Sequence, residues 1–287
     1  MSPSREVFDA IGTSWSIETA TALPTPLLVT IHQRIEQFDR TYSRFRPDSL
    51  VSAFAATGGS CEFPPDAIAL LHLYRELYEL TGGRVSPLVG SALEHLGYDA
   101  GYSLRRRPGS ATVPRWTDVL TVEGTTVSAR KPVLLDFGAA GKGYLIDLLA
   151  LILREHDVGD YLVDGSGDLA RRGQDVFRVG LEHPADPTKV IGVANVTSGA
   201  LCGSAGNRRA WGDGLHHIVD PRTGEPATEI LATWVVAESA LIADGLATAL
   251  FFAEPRDLAA RFSFSYVRMP ATGGVEYSTN FDGELFT

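Results

Sequence analysis

Leu135-Asp-Phe-Gly-Ala-Ala-Gly-Lys-Gly-Tyr-Leu-Ile-Asp147, LDFGAAGKGYLID, sets three glycines, a lysine and two aspartates between apolar flanks. The run Val133 to Phe137 predicts a short strand. Gly141 to Glu155 predicts a helix with Tyr144, Leu145, Leu148, Leu149 and Ile152 among its apolar positions. A glycine-rich join of this kind invites a nucleotide-loop reading, and spacing decides against the standard ones. A phosphate loop needs a glycine five positions before that of Gly-Lys and a Ser or Thr after the lysine; Asp136 and Gly143 stand there instead. The dinucleotide pattern G-x-G-x-x-G fails as well, because Gly138, Gly141 and Gly143 run G-x-x-G-x-G. The physics still suits an anion: glycines admit a close ligand, and a helix begins with unpaired amides and Lys142 in its first turn. The alternative is a plain strand–turn–helix junction with a surface lysine. Asp136 tips the balance toward a site, since a carboxylate beside a phosphate needs a cation or a hydrogen-bonding ligand group.

Outward from this stretch, helices and strands mix without a regular strand–crossover alternation, which predicts an α+β fold rather than a doubly wound sheet. Upstream, Phe8 to Glu18 reads as one strand carrying Ile11-Gly12-Thr13, its glycine placed for a close approach, and Thr25-Pro26 opens a helix over 26–41. Pro47-Asp48-Ser49 reads as a turn, and Pro65 to Leu80 as a second helix with Ile68, Leu71, Leu77 and Leu80 apolar, ended by Gly82-Gly83. A weaker helix covers Pro87 to Leu96, and Val119 to Glu123 pairs with Thr126 to Ala129 in a hairpin. Downstream come strands at Tyr161 to Val163, Val176 to Leu181, Val190 to Val196, Thr233 to Ala237 and Ser263 to Arg268, with a helix at Ala240 to Phe252. No repeat or low-complexity linker divides the 287 residues, so a single domain over 1–287 is expected.

A net charge of -10 argues against a nucleic-acid or anionic-membrane partner, and Arg105-Arg106-Arg107 reads as a solvated loop. The two cysteines, Cys61 and Cys202, make neither a disulfide framework nor a zinc site. No stretch is long and apolar enough to span a bilayer, and no secretory signal or lipid-attachment cysteine is seen near the start. A cytoplasmic location is expected, unless an export segment has been removed.

In IADGLATALFF, Asp244 and Thr248 stand four apart and share one helix face. A carboxylate and a hydroxyl among Ala and Leu are expensive to bury unless something satisfies them. Magnesium would, because it binds oxygen ligands through one or two carboxylates plus substrate phosphates. The alternative is that Asp244 caps the helix and Thr248 bonds back to a carbonyl.

Taken together, AIGT (10–13), SRFRPDS (43–49), LDFGAAGKGYLID, DGSGD (164–168), HIVDPRTGEP (217–226) and ADGLATALF (243–251) resemble the FAD:protein FMN transferases, the ApbE family, in order, spacing and length. The resemblance implies a single α+β domain that binds FAD and Mg²⁺, cleaves the pyrophosphate and moves FMN onto a Ser or Thr hydroxyl of a flavoprotein, releasing AMP. It implies that the backbone carbonyl of Ala139, with Asp244 and Thr248, holds the metal. FAD would touch Ile11, Phe45, Asp136, Lys142 and Ile218, and the aligned segment Arg84-Val85-Ser86. His217 becomes a candidate proton-transfer residue, with a pKa near neutrality, and Asp244 is a second candidate.

The chain departs from the family pattern in places. Ile11 replaces the usual Met, Phe45 a frequent Tyr, and Ser86 a usual Asp, while DGSGD stands for NLGGD and LCGSAG (201–206) for an ATSGD-like stretch. Asn195 to Leu201 is similar to a flavin-acceptor sequence of Ser/Thr-Gly-Ala type, but Leu201 stands where that sequence has a second hydroxyl. The transferase reading stands beside two others: an Mg²⁺-dependent FAD pyrophosphatase yielding FMN and AMP, and a non-catalytic FAD-binding protein.

Overall fold

A computed structural model describes residues 4–286. Its centre is a nine-stranded sheet in the order Ser4–Ala10, Thr13–Thr19, Tyr161–Asp164, Leu169–His183, Asp186–Ala205, Ile230–Ala237, Phe264–Pro270 and Glu276–Tyr277, with Gly283–Leu285 beside Asp186–Ala205. All of its pairings are antiparallel, so the α+β expectation holds and no crossover parallel unit exists among the described residues.

The chain enters through β1 (Ser4–Ala10) and β2 (Thr13–Thr19), two strands where one was expected. Ile11 and Gly12 take φ of 43° and 79°, a two-residue hairpin turn whose backbone matches the strand twist. Glycine at 12 therefore serves the turn. Helix α1 (Thr25–Tyr42) starts behind Pro24 in the cap position and buries Leu27, Ile31, Ile35 and Phe38. Ser49, in the expected turn, caps a helix absent from the sequence reading, α2 (Leu50–Thr57), by accepting from the Ser52 amide. After β3 (Gly59–Glu62), helix α3 (Ala67–Leu80) buries Leu70, Leu71, Leu73, Tyr74 and Leu77, whereas Ile68, expected on that face, points to solvent. A 3₁₀ turn (Pro87–Val89) runs into α4 (Gly90–His95), and the short α5 (Trp116–Val119) precedes the hairpin of β4 (Leu120–Glu123) and β5 (Thr126–Ala129).

Residues 133–137 are not a strand. Leu135 and Phe137 are buried, but the Asp136 amide bonds Pro87 O, and the Asp136 carboxylate accepts from its own neighbour Gly138. With the Phe137 carbonyl accepting from the Gly141 amide, these groups bond into a turn and a neighbouring segment instead of a ladder. Helix α6 (Gly141–Glu155) then runs as expected.

Strands β6 (Tyr161–Asp164), β7 (Leu169–His183) and β8 (Asp186–Ala205) follow, the last two far longer than their apolar runs. The short pairs β9 (Ala210–Trp211) with β10 (Leu215–His216), and β11 (Val219–Asp220) with β12 (Glu225–Pro226), form two separate two-stranded sheets. The chain then lays down β13 (Ile230–Ala237), α7 (Ala240–Ala249), α8 (Pro255–Ala259), β14 (Phe264–Pro270), β15 (Glu276–Tyr277) and β16 (Gly283–Leu285).

Period-two alternation divides the sheet between two cores. Tyr161, Val163, Ala200 and Cys202 face the helices α1, α3, α6 and α7, while Leu162 and Leu201 face a second cluster with Leu181, Ile191 and Val267. Helix α7 lies against α6 because Gly143 has no side chain: a Cβ there would sit 2.7 Å from the Asp244 Cβ and inside the contact radius of Ala240 O. Asp147 fastens the same pair, accepting from the amides of Ala240 at 2.9 Å and Leu241 at 2.8 Å at the start of α7. No helix among the described residues is long and apolar enough to cross a membrane.

Candidate active site

The N-terminal turn of α6, the middle of α7, the end of β8 and the middle of β13 meet at a cavity of about 600 Å³. Its walls include Ile11, Phe45, Arg84, Val85, Ser86, Asp136, Ala139, Lys142, His217, Ile218, Asp244 and Thr248, so all the residues singled out from the sequence reach one space.

Asp244 does not cap α7. Ser239 accepts from the Ile242 amide and Asp147 takes the first two amides, leaving Asp244 in the second turn, facing α6. Its Oδ2 accepts from the Gly143 amide at 2.8 Å. Burial, reinforced by the Asp168 carboxylate, pushes the Asp244 carboxyl far above the usual carboxylate range. Thr248 does not bond back within its helix either: its Oγ1 donates across to Ala139 O at 3.2 Å, and Ser204 Oγ stands 3.4 Å from it. Ala139 is itself held, its amide donating to Tyr74 Oη at 3.1 Å.

The helix-start expectation is met only in part. Of the amides opening α6, Gly141 donates to Phe137 O and Gly143 to Asp244, so both are already satisfied by protein. Lys142 is likewise not a free charge: its Nζ lies 2.7 Å from Asp168 Oδ2. Burial alone would lower its pKa, and the carboxylates of Asp168 and Asp244 outweigh it, so the ammonium's pKa lies above its ordinary value. Asp168 is presented by the tight β6–β7 turn, where Gly167 takes φ of 98°, and its Oδ1 accepts from the Gly203 amide at 2.8 Å. Ionised together, Asp168 and Asp244 would outweigh the one ammonium by a single charge, and the raised Asp244 pKa favours its protonated form until a further cation arrives. The ligand-type atoms of Ala139, Asp244 and Thr248 are all oxygen.

At the other end, Asp136 Oδ2 accepts from Arg44 Nε at 2.5 Å. Phe45 stacks on Tyr102 with ring centroids 5.2 Å apart and meets Tyr98 edge-on. The turn residue Ile11 holds a left-handed backbone that a β-branched side chain adopts only under strain. Ser86 is buried and caps the 3₁₀ turn by accepting from the Leu88 amide; Arg84 Nε is buried without a partner among the described residues.

His216 is bonded through both ring nitrogens: its Nε2 pairs with Ala227 O and its Nδ1 accepts from the Ile218 amide. His217 is the other case: its Nδ1 is buried and has no partner among the described residues. Burial, with the nearby charge of Arg209, pushes its pKa down to about 3, against the expectation of a value near neutrality. It is therefore a neutral imidazole at pH 7.

The cavity also recruits residues the sequence reading left out as site residues: Arg44, Asp168, Tyr98, Tyr102, Arg208 and Arg209. The acceptor-like segment Asn195 to Leu201 lies within β8, where Ala200 is paired on both sides, with Ala170 and Ala237.

The ApbE family model matches residues 11–265. The FAD:protein FMN transferase of Rhodobacter capsulatus is 29% identical over 272 residues, covering 88% of this chain and 52% of the relative. The chain thus spans about half the length of that protein. The FAD:protein FMN transferase of Klebsiella pneumoniae is 23% identical, with 85% of this chain and 77% of the relative covered. Among solved structures, the ApbE protein of Thermotoga maritima superposes with a TM-score of 0.85 at 24% identity, covering 97% of each chain. The flavin transferase ApbE of Vibrio cholerae does so with 0.80 at 22% identity, covering 98% of each. At these identities the two structures establish the shared fold.

Proposed function

This chain belongs to the ApbE family, and from that premise we propose that it is an FAD:protein FMN transferase, moving FMN from FAD to a Ser or Thr hydroxyl of a protein acceptor and releasing AMP. The acceptor would carry a motif of Ser/Thr-Gly-Ala type. The observation that carries this reading is the convergence on one cavity of residues from separate segments of the chain, the oxygen-rich corner of Ala139, Asp244 and Thr248 among them.

The residues present fit a magnesium ion. Six-coordinate magnesium holds its oxygens at 2.0–2.1 Å, which separates neighbouring ligands by about 3 Å; Thr248 Oγ1 and Ala139 O lie 3.2 Å apart. Asp244 would supply the carboxylate, and a cation bound there would favour its ionised form and offset the charge it then shares with Asp168. Bound there, magnesium would supply the Lewis-acid charge that offsets negative charge on the phosphates.

The chain's own groups divide the rest of the task. Lys142, steered by Asp168, presents positive charge beside the phosphates, and Ser204 keeps Thr248 in place. The neutral His217 can take the proton that the acceptor hydroxyl loses; negative charge arriving with the substrate raises its affinity for that proton. The aromatic group Phe45, Tyr98 and Tyr102 offers a flat wall for a ring of the dinucleotide.

The test is to incubate the protein with FAD, Mg²⁺ and an acceptor bearing the motif, then resolve AMP, free FMN and protein-bound flavin. AMP with labelled acceptor is the expected result. AMP with free FMN alone would make the protein a pyrophosphatase, and retained FAD without AMP a binding protein.

A further inference from the structure

Arg44 has no part in the site as read from the sequence, and its surroundings suggest a role. It is 5% exposed, and it lines the cavity. Its Nε is used by Asp136 at 2.5 Å, and its Cζ lies 4.1 Å over the Phe45 ring and 5.0 Å from the Tyr98 ring centre. Nη1 and Nη2 are buried and make no hydrogen bond among the described residues. A guanidinium whose terminal donors are out of water and unmatched is costly, and the cost is relieved when something entering the cavity brings acceptors.

The pair's charge and setting narrow what that acceptor is. Asp136 already balances the guanidinium, so the pair has no net charge with which to attract a phosphate. Its neighbours are ring faces, and a carboxylate retains free lone pairs after accepting from Arg44 and from the Gly138 amide at 2.7 Å. Donors beside an acceptor, flanked by aromatic rings, complement the edge of a flat heteroaromatic ring on which an acceptor atom adjoins an N–H. We infer that the Arg44–Asp136 pair reads the edge of one of the two ring systems of FAD and that Arg44 is a specificity residue for it. This rests on the reading of the cavity as an FAD site. Both ring systems carry such an edge: carbonyl oxygens flanking an imide N–H on the isoalloxazine, and a ring nitrogen beside the amino group on adenine.

Calorimetric titration of FAD, FMN and ADP separates them. R44K keeps a cation for Asp136 and removes the fork. It is expected to weaken FAD and one of the two half-ligands by about tenfold or more, leaving the other half within about twofold. Should lysine not be accommodated, R44M/D136N removes both charges together and is expected to show the same split. Unchanged affinities for all three ligands, or equal weakening of both halves, would overturn the inference. A wild-type protein that binds none of the three would overturn the functional reading, and the inference with it.

Discussion

Lys142 and His217 show how far a side chain's neighbours set its chemistry. Lys142 looked like a bare charge at a helix start, but Asp168 holds its ammonium at 2.7 Å, fixing where the charge points. Lys142→Ala removes the charge and leaves Asp168 and Asp244 facing each other. FAD affinity in titration is expected to fall by about tenfold, and an unaltered affinity would contradict the role given to Lys142. His217 is held neutral by burial, with its pKa pushed from 6.5 down to about 3. Between those values the unfolded chain takes up a proton that the folded chain refuses, so stability is lost as pH falls from 6.5 toward about 3. His217→Gln should flatten that part of the melting temperature's acid limb. An acid limb identical to wild type would show that His217 is not the buried neutral imidazole described.

The α6–α7 contact is where an element's sequence and the site's geometry meet. Three glycines in one bend suggest a ligand cradle, yet two of them are required by packing. Gly143 admits helix α7, and a Cβ at Gly138 would press on Asp136 Oδ1 at 2.8 Å. A Cβ at Gly141 would meet only ordinary contacts at 3.7 and 3.8 Å. Gly143→Ala is therefore expected to cost about 1–3 kcal/mol or more, lowering the melting temperature by roughly 2–4 °C per kcal/mol and displacing Asp244. Gly141→Ala should leave both stability and turnover near wild type. Equal effects from the two would contradict the packing account. At this scale much was legible. Helices α1, α3 and α6 follow from apolar spacing, α6 to its last residue, and β4–β5 from a Gly-Thr turn. What was not legible has physical causes. Residues 133–137 lack a ladder partner because their polar groups bond elsewhere, the Asp136 amide to the distant Pro87 carbonyl and the Phe137 carbonyl to the Gly141 amide. The ends of β7 and β8 carry polar residues that only pairing makes into strand, and α2 is too short to show a period.

Across the whole molecule, residues scattered from position 11 to 248 surround one cavity because the sheet's antiparallel order brings β2, β6, β7, β8 and β13 side by side beneath α6 and α7. The positions named from the sequence were those carried by short motifs. Arg44 and Asp168 lie inside SRFRPDS and DGSGD but show no role there, and Tyr98 and Tyr102 lie outside the quoted motifs. The roles of the first two depend on partners far along the chain: Arg44 meets Asp136, and Asp168 meets Lys142 and Gly203. Only folding makes those pairs. On the proposed function, Asp244 on α7 and Ala139 at the α6 turn would together hold a metal at the phosphates of FAD. The most direct measurement is AMP release from FAD by Asp244→Ala with and without added Mg²⁺. The account predicts a loss of roughly a hundredfold or more, with no response to Mg²⁺, in a variant that stays folded. AMP release equal to that of the wild type, and equally dependent on Mg²⁺, would contradict it.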